Sequence, residues 1–600
     1  MNGLPLADLI VLFLYLAGIT WLGVRMGKGI QKQSDFFMPR RFGKSMMMMH
    51  AFGTGTASDQ AVVVASGTFR HGLSGIWYQW LWLFNTPFYW LIAPIFRRFR
   101  ATTTADVYAL RFGSSVAVLF SMVGIIGLAV KIGLLLKGAG ALVESGTQGM
   151  VSASFAVPVV AVLFVAYGMV GGLGAAIVTD YIQGVLTVLF SVMLLPWTLS
   201  AVGGLSGVRE TLNDPSMLSM VAPEGVTPFF IATFAVLSLV GIVAQPFIMG
   251  VCGAGRTEMD GRFGFVAGNL IKRICTAAWA VTGIAALAWY MQKGADLTSI
   301  DPDQVYGQMA AEFLPSAFPG LLGLFLASIL AGVMSSCDSM MISAAGLFTE
   351  NLYKPLVKNR SSDHYMLIGR CISVLIVLSG VFVAFWMSDV VKGLKFWLKI
   401  APMLGIAFWI GLFWKRYNAV GAWMSTASGF TVWWLTLQPG VVHWIQSLPF
   451  AKSLGMIQNA SDKPILHEPW QIVIYLMAAA FAGIIASLLT KRPNEAKVNQ
   501  FHQLIRTPVQ PGEVITTSCQ LPAGVQAVHR ATWFTGSNFE VPVPSKTSVI
   551  GFFVSCAAVG AMIGGFIWLM WAEASESIID STKGKGAPRQ HESLRFHIPD

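Results

Sequence analysis

Charge is scarce in this chain: Asp, Glu, Lys and Arg make up 12% of its 600 residues, about half the share of an ordinary soluble domain. That is too little for a fully hydrated surface. The formal net charge is +11, but Lys and Arg fall in short loops between apolar stretches, where they set membrane orientation, so nucleic acid is excluded as a partner. Cysteine is sparse too. Cys252, Cys275, Cys337, Cys371, Cys519 and Cys556 show no CxxC or secreted-framework spacing and read as buried free thiols. The few histidines are not paired at ligand spacing, as HxxxH would be, which leaves a membrane-embedded metalloenzyme without its constellation; the expectation is no enzyme. The opening "MNGLPLADLIVLFLYLAGITWLGVRMGKG" has no basic residue before its apolar run, with Arg25 and Lys28 directly after it. It reads as a first transmembrane helix starting outside, not a signal peptide.

What the chain has is apolar length: 55% hydrophobic residues and a mean hydropathy of +0.64, which reads as an all-α polytopic membrane protein. Spans of about 20 residues fall near 5–25, 45–69, 73–96, 115–141, 151–170, 174–203, 227–251, 264–291, 319–348, 364–388, 395–414, 419–437, 470–490 and 548–572, about fourteen in all. The loops assigned inside carry Arg25, Lys28, Lys32, Arg40, Arg41, Lys44, Arg97, Arg98, Arg100, Arg256, Arg262, Lys354, Lys358, Arg360, Lys415 and Arg416. The loops at 204–226 and 292–318 lean acidic, with Glu210, Asp214, Glu224, Asp296, Asp301, Asp303 and Glu312. That asymmetry places the N-terminus outside. An even count puts the C-terminus there as well, against which stands the basic tail after Lys583. Residues 491–547, polar and marked by Pro493, Pro508, Pro511, Pro522, Pro542 and Pro544, read as a cytoplasmic linker or small accessory element. The tail 573–600 reads as disordered, from Ser575 onward.

Chemistry concentrates where polar groups sit at membrane depth. The stretch Leu326–Tyr353, "LASILAGVMSSCDSMMISAAGLFTENLY", carries Ser335, Ser336, Asp338, Ser339 and Ser343 in an otherwise apolar run. Lipid offers such groups no hydrogen bonds, so they must face a cavity or an ion; the expectation is a bound cation. The second span is interrupted by Gly53, Thr54, Gly55, Thr56, Ser58 and Asp59. This is either local unwinding that frees carbonyls for a cation or a close-packed small-residue interface, and Asp59 tips it toward the first. The seventh span has Gly241 and a mid-membrane Gln245-Pro246, which kinks or breaks it. Thr179, Asp180 and Gln183 share about one turn of the sixth span; Asp180 is either snorkelling or an acidic step on an ion exit route. His50, Arg70 and His71 could draw an anionic solute but read as boundary residues, and Met46 to Met49 as soft packing.

These stretches resemble the sodium/solute symporter family, which includes bacterial proline and pantothenate carriers and sodium-glucose cotransporters. The resemblance runs from about Asp8 to Thr490, through "SDFFMPRR", "TASDQ", "TTADVYALRFG", "YGMVGGLGAAIVTDYIQG", "AQPFIMG", "GVMSSCDSMMISAAGLFTENLYKPL" and "GLFWKRYNAVGAW". It implies a LeuT-type inverted repeat of five plus five helices with extra flanking helices. Residues 1–44 would then be a first helix and loop, 45–203 and 227–414 the two repeats, 415–490 accessory helices and 548–572 a last span. It further implies a coupling Na+ held by the carbonyls of Ala57, Gln60 and Gly332 and the hydroxyls of Ser335 and Ser336, a hard-cation donor set. Asp59 and Asp180 match acidic positions used for sodium binding or release. Asp338 and Ser339 fall where some members hold a second ion, and a carboxylate at 338 departs from the usual hydroxyl.

For the solute, Ser238 and Ile242 stand where proline carriers have aromatic residues, which argues against proline. Candidate lining groups are Thr54, Gln60, Trp77, Gln79, Trp82, Asn85, Ser238, Gln245 and Phe247, although most Trp residues serve as interface anchors. The implied activity is sodium-coupled symport of a small organic solute by alternating access across the plasma (inner) membrane. A proton-coupled carrier and a transport-derived membrane sensor are the alternatives.

Overall fold

A computed structural model describes residues 5–27, 36–222, 225–460, 463–510, 512–515, 517–534 and 536–581. Lys28, Lys32, the start of "SDFFMPRR", Glu224, Pro511 and the tail 582–600 lie outside the described residues.

The helices that place the site are α1 (Leu6–Gly27), α2 (Lys44–Gly53), α3 (Ser58–His71), α4 (Thr86–Arg98), α5 (Ser114–Gly146), α6 (Ala153–Met193), α7 (Pro228–Ile242), α8 (Ile248–Gly253), α9 (Glu258–Gln292), α10 (Leu321–Gly346), α11 (Ser362–Trp386), α12 (Val390–Ile400), α13 (Pro402–Phe413), α14 (Ala419–Leu435), α15 (Glu468–Leu489), α16 (Glu495–Arg506) and α17 (Lys546–Ser581). Among the described residues, nine helical stretches are long and apolar enough to cross a membrane. The other expected spans near 45–69, 73–96, 151–170, 227–251 and 419–437 are broken or shorter.

The second expected span is two helices. α2 stops at Gly53, and the chain is non-helical until Ala57, which is extended at φ −142°, ψ −179°. Local side chains take over the freed backbone groups: Thr56 Oγ1 donates to the Phe52 carbonyl at 2.5 Å, and the Gln60 amide donates to the Gly55 carbonyl. The seventh span is likewise split into α7 and α8 around Gln245-Pro246, because Pro246 has no N–H to give. The fifth and sixth spans meet without a loop. α6 is interrupted only at Gly172, φ 52°, where a Cβ would come within 2.7 Å of the Phe36 carbonyl oxygen. Glycine alone suits that conformation and that approach.

Elsewhere ordinary signals hold. Capping boxes at Thr103/Asp106 and Thr257/Asp260 start the Thr104–Phe112 helix and α9. One large buried cluster forms the core, with α10 packed against α6, α5 and α1, and α9 against α2 and α3; a small second cluster gathers Ile445, Ala451, Met456 and Leu466.

Three features differ from the sequence expectation. A two-stranded antiparallel pair, Ile457–Ala460 with Lys463–Leu466, departs from all-α. Helix α17 continues to Ser581, past the Ser575 start expected for disorder. Cys371 is exposed and Cys556 half-buried, whereas Cys252, Cys275, Cys337 and Cys519 are buried; all six are free thiols.

Residues 491–547 are a folded element. α16 packs on the Thr104–Phe112 helix and α4. Around it Arg100 pairs with Glu513 at 2.5 Å, Lys415 with Glu540 at 3.0 Å, and Arg98 donates to the Ile505 carbonyl at 3.0 Å. The far end of the last helix lies beside the 204–226 loop, where Arg209 donates to the Met570 carbonyl at 2.6 Å.

Candidate functional site

The break between α2 and α3 faces the middle of α10. Glycine makes the contact possible: a Cβ on Gly53 would lie 3.6 Å from Asp180 Cβ and in collision with Ser335 Oγ, and one on Gly332 would lie 3.4 Å from Ala57 Cα. Ser336 Oγ donates to the Gly53 carbonyl at 2.7 Å, and Ser335 Oγ donates to Asp180 Oδ1. A hydroxyl that gives away its proton keeps its lone pairs, so both serines can still offer oxygen to a cation. Gly332 thus lies against Ala57, Ser336 against Gly53 and Ser335 against Asp180, while Gln60 turns its amide back to Gly55; all of these residues but Gly55 are buried.

Asp180 is fully buried and not snorkelling; its other oxygen lies 2.6 Å from His50 Nδ1. His50 is therefore an interior residue, contrary to its reading as a boundary group. Its burial on α2, one turn before Thr54, follows from the face that α2 turns toward α6. Thr54 Oγ1 lies 3.2 Å from the same ring nitrogen and donates to Ser339 Oγ at 3.3 Å. Asp338 is buried one turn along α10 from Ser335, with Oδ1 2.8 Å from where a Cβ on Gly168 would stand.

Asp59 has a partner that sequence reasoning did not supply. Lys131, in the middle of α5, reaches it at 2.6 Å, and both are buried. The available signal was the lysine itself, since a cation inside an apolar run of membrane length needs a counter-charge.

A cavity lies between the two breaks. Of the candidate lining groups, Thr54, Gln60, Gln79, Trp82, Gln245 and Phe247 line it. Trp77, Asn85 and Ser238 do not: Trp77 donates to the Met220 carbonyl at 2.7 Å and stacks on Phe84, while Asn85 and Ser238 hydrogen-bond to each other. The lining also holds Lys131, Lys272 and Arg273, none of them anticipated.

The family described as "Sodium:solute symporter family" matches residues 36–429. The sodium/pantothenate symporter of Haemophilus influenzae is 28% identical over 46% of this chain and 56% of its own length. The osmoregulated proline transporter OpuE of Bacillus subtilis is 25% identical over 56% of this chain and 63% of its own. Against these two the chain spans less than two thirds of the relative. The sodium/glucose cotransporter of Vibrio parahaemolyticus is 25% identical over 83% of this chain and 94% of its own. A solved Na+-coupled sialic acid symporter superposes with a TM-score of 0.65 at 18% identity, covering 81% of this chain and 99% of that one, so the two share a fold.

Proposed function

We propose that this chain, which belongs to the sodium:solute symporter family, is a sodium-coupled symporter that imports a small organic solute by alternating access across the plasma (inner) membrane. The observation that carries this reading is the broken second span set against the hydroxyl pair of α10, with Ser336 already bound to Gly53 across the gap. Sodium is held by the carbonyl oxygens of Ala57, Gln60 and Gly332 and the hydroxyls of Ser335 and Ser336. Five oxygen donors without a thiol or imidazole suit a hard monovalent cation. Asp180, one hydrogen bond from Ser335, is the release step: its carboxylate offers the departing ion an alternative to the serine oxygens. Asp338 and Ser339, one turn farther on, form a second ion position on the same path.

The two breaks belong to two inverted five-helix repeats, 45–203 and 227–414, in a chain of fourteen spans with N- and C-termini outside. The 491–547 element is cytoplasmic. Sodium joins α3 to α10 and thereby raises solute affinity, and solute raises sodium affinity by the same factor.

The test is thermal stability of the purified protein in sodium against potassium. A ligand held only by the folded state adds about 2.7 kcal/mol at one hundred times its dissociation constant. Sodium is expected to raise the Tm of the wild type and to have no effect on Ser335→Ala/Ser336→Ala. A Tm indifferent to sodium but responsive to protons would replace the coupling ion, and one responsive to solute alone would favour a sensor.

A further inference from the structure

Lys272 sits opposite the first break, its Nζ 2.7 Å from where a Cβ on Gly55 would stand. It is 6% exposed, and among the described residues it forms no ion pair. Lys131 and Arg273 line the same cavity, and among the described residues no Asp or Glu does. The charge of Lys131 is met by Asp59 at 2.6 Å. Arg273 is 2% exposed; among the described residues its side chain donates only to the Gln79 backbone and side-chain oxygens, and it lies 5.6 Å over the Trp82 ring. Those partners are neutral. Two cations thus face an interior cavity where, among the described residues, neither forms an ion pair; Asp59, which attracts Lys272 through space, is already held by Lys131. That arrangement is costly inside a protein unless something else brings the negative charge. The remaining walls are largely apolar and aromatic, with Trp82, Tyr89, Phe265 and Trp397.

We propose that this cavity binds a solute bearing a carboxylate on an apolar body, with Lys272 as the counter-charge and Arg273 as the second cation of the pocket. The proposal rests on the transport reading above and narrows it to organic anions. An α-amino acid fits poorly, because no carboxylate lines the cavity to receive its ammonium group. A neutral polyol would leave both cations unanswered.

The experiment uses the full-length purified protein at saturating NaCl, with KCl as the reference, and two acid and amide pairs as probes: propionate with propionamide, and phenylacetate with phenylacetamide. At least one acid raises Tm in sodium and its amide does not. In Lys272→Met that rise is lost while the shift caused by sodium alone is kept, and in Lys272→Arg, which retains the charge, the rise returns. The ligand-free Tm of Lys272→Met is not lowered, because the substitution removes an unanswered buried charge. The proposal is overturned if an amide stabilises as well as its acid, if Lys272→Met keeps the response, or if sodium raises Tm and neither acid adds to it. A response to an acid in a protein indifferent to sodium upholds the carboxylate site and removes sodium coupling instead.

Discussion

At the scale of single residues, the Asp59–Lys131 pair sets the energetic constraint. Both groups are buried, so removing one strands the other. Lys131→Met is expected to destabilise the protein by about 3–5 kcal/mol, and Asp59→Asn/Lys131→Met to recover most of that loss. A double-mutant cycle on denaturation midpoints checks it; equal and additive losses would mean that the pair does not act as a unit. Asp59 was legible because a carboxylate in an apolar span is conspicuous on its own. Its pairing with Lys131 was not: the lysine stands 72 positions away in sequence, and nothing local says which helix will pack beside which. His50 was misread for the same reason, since proximity to the end of a hydrophobic run does not show which face the helix buries.

At the scale of elements, composition spoke clearly where backbone chemistry forces the outcome. Gly53, Gly55 and Pro246 weaken a helix wherever they stand, so both breaks could be placed from sequence. Pro246→Ala restores a donor to α7–α8. Its expected outcome is an unchanged or higher Tm with loss of solute uptake in proteoliposomes; undiminished uptake would show that the break is dispensable. What composition could not say was how the pieces join. The kink at Gly172 depends on Phe36 lying against it, a contact over more than a hundred residues. The third expected span starts as 3-10 turns at Gly72–Ile76 and Leu81–Leu83 on either side of one α-helical turn at Trp77–Trp80, and becomes a regular helix only in α4, although its hydropathy reads as one continuous helix.

At the scale of the whole molecule, the 491–547 element couples folding to pH. Burial, with Arg111 nearby, pushes His502 down from 6.5 to about 4. Burial raises Glu540, but Arg506 and Lys415 outweigh it and hold the carboxyl below its usual range. The unfolded chain therefore binds a proton at position 502 before the folded one does. Stability is full above pH 6.5 and falls as pH drops toward 4, by on the order of 3 kcal/mol from this histidine. Denaturation midpoints across that range check it, with His502→Gln expected to flatten much of the slope. The prolines and polar composition of this region left a linker and a small accessory element both open; its order comes from Arg98 at the end of α4 and from Arg100 and Lys415, all distant in sequence. Those contacts carry a consequence for chain continuity. Upstream of the exposed Trp533 and Phe534, the segment is fastened by Arg100 to Glu513. Downstream, α17 is held by Trp90 donating to the Thr547 carbonyl at 2.9 Å, by Phe566 against Trp80 and by Arg209 at Met570. Cutting the backbone near Trp533 should thus yield two polypeptides that purify together as one particle, the covalent link between the last two membrane helices being unnecessary once they have assembled.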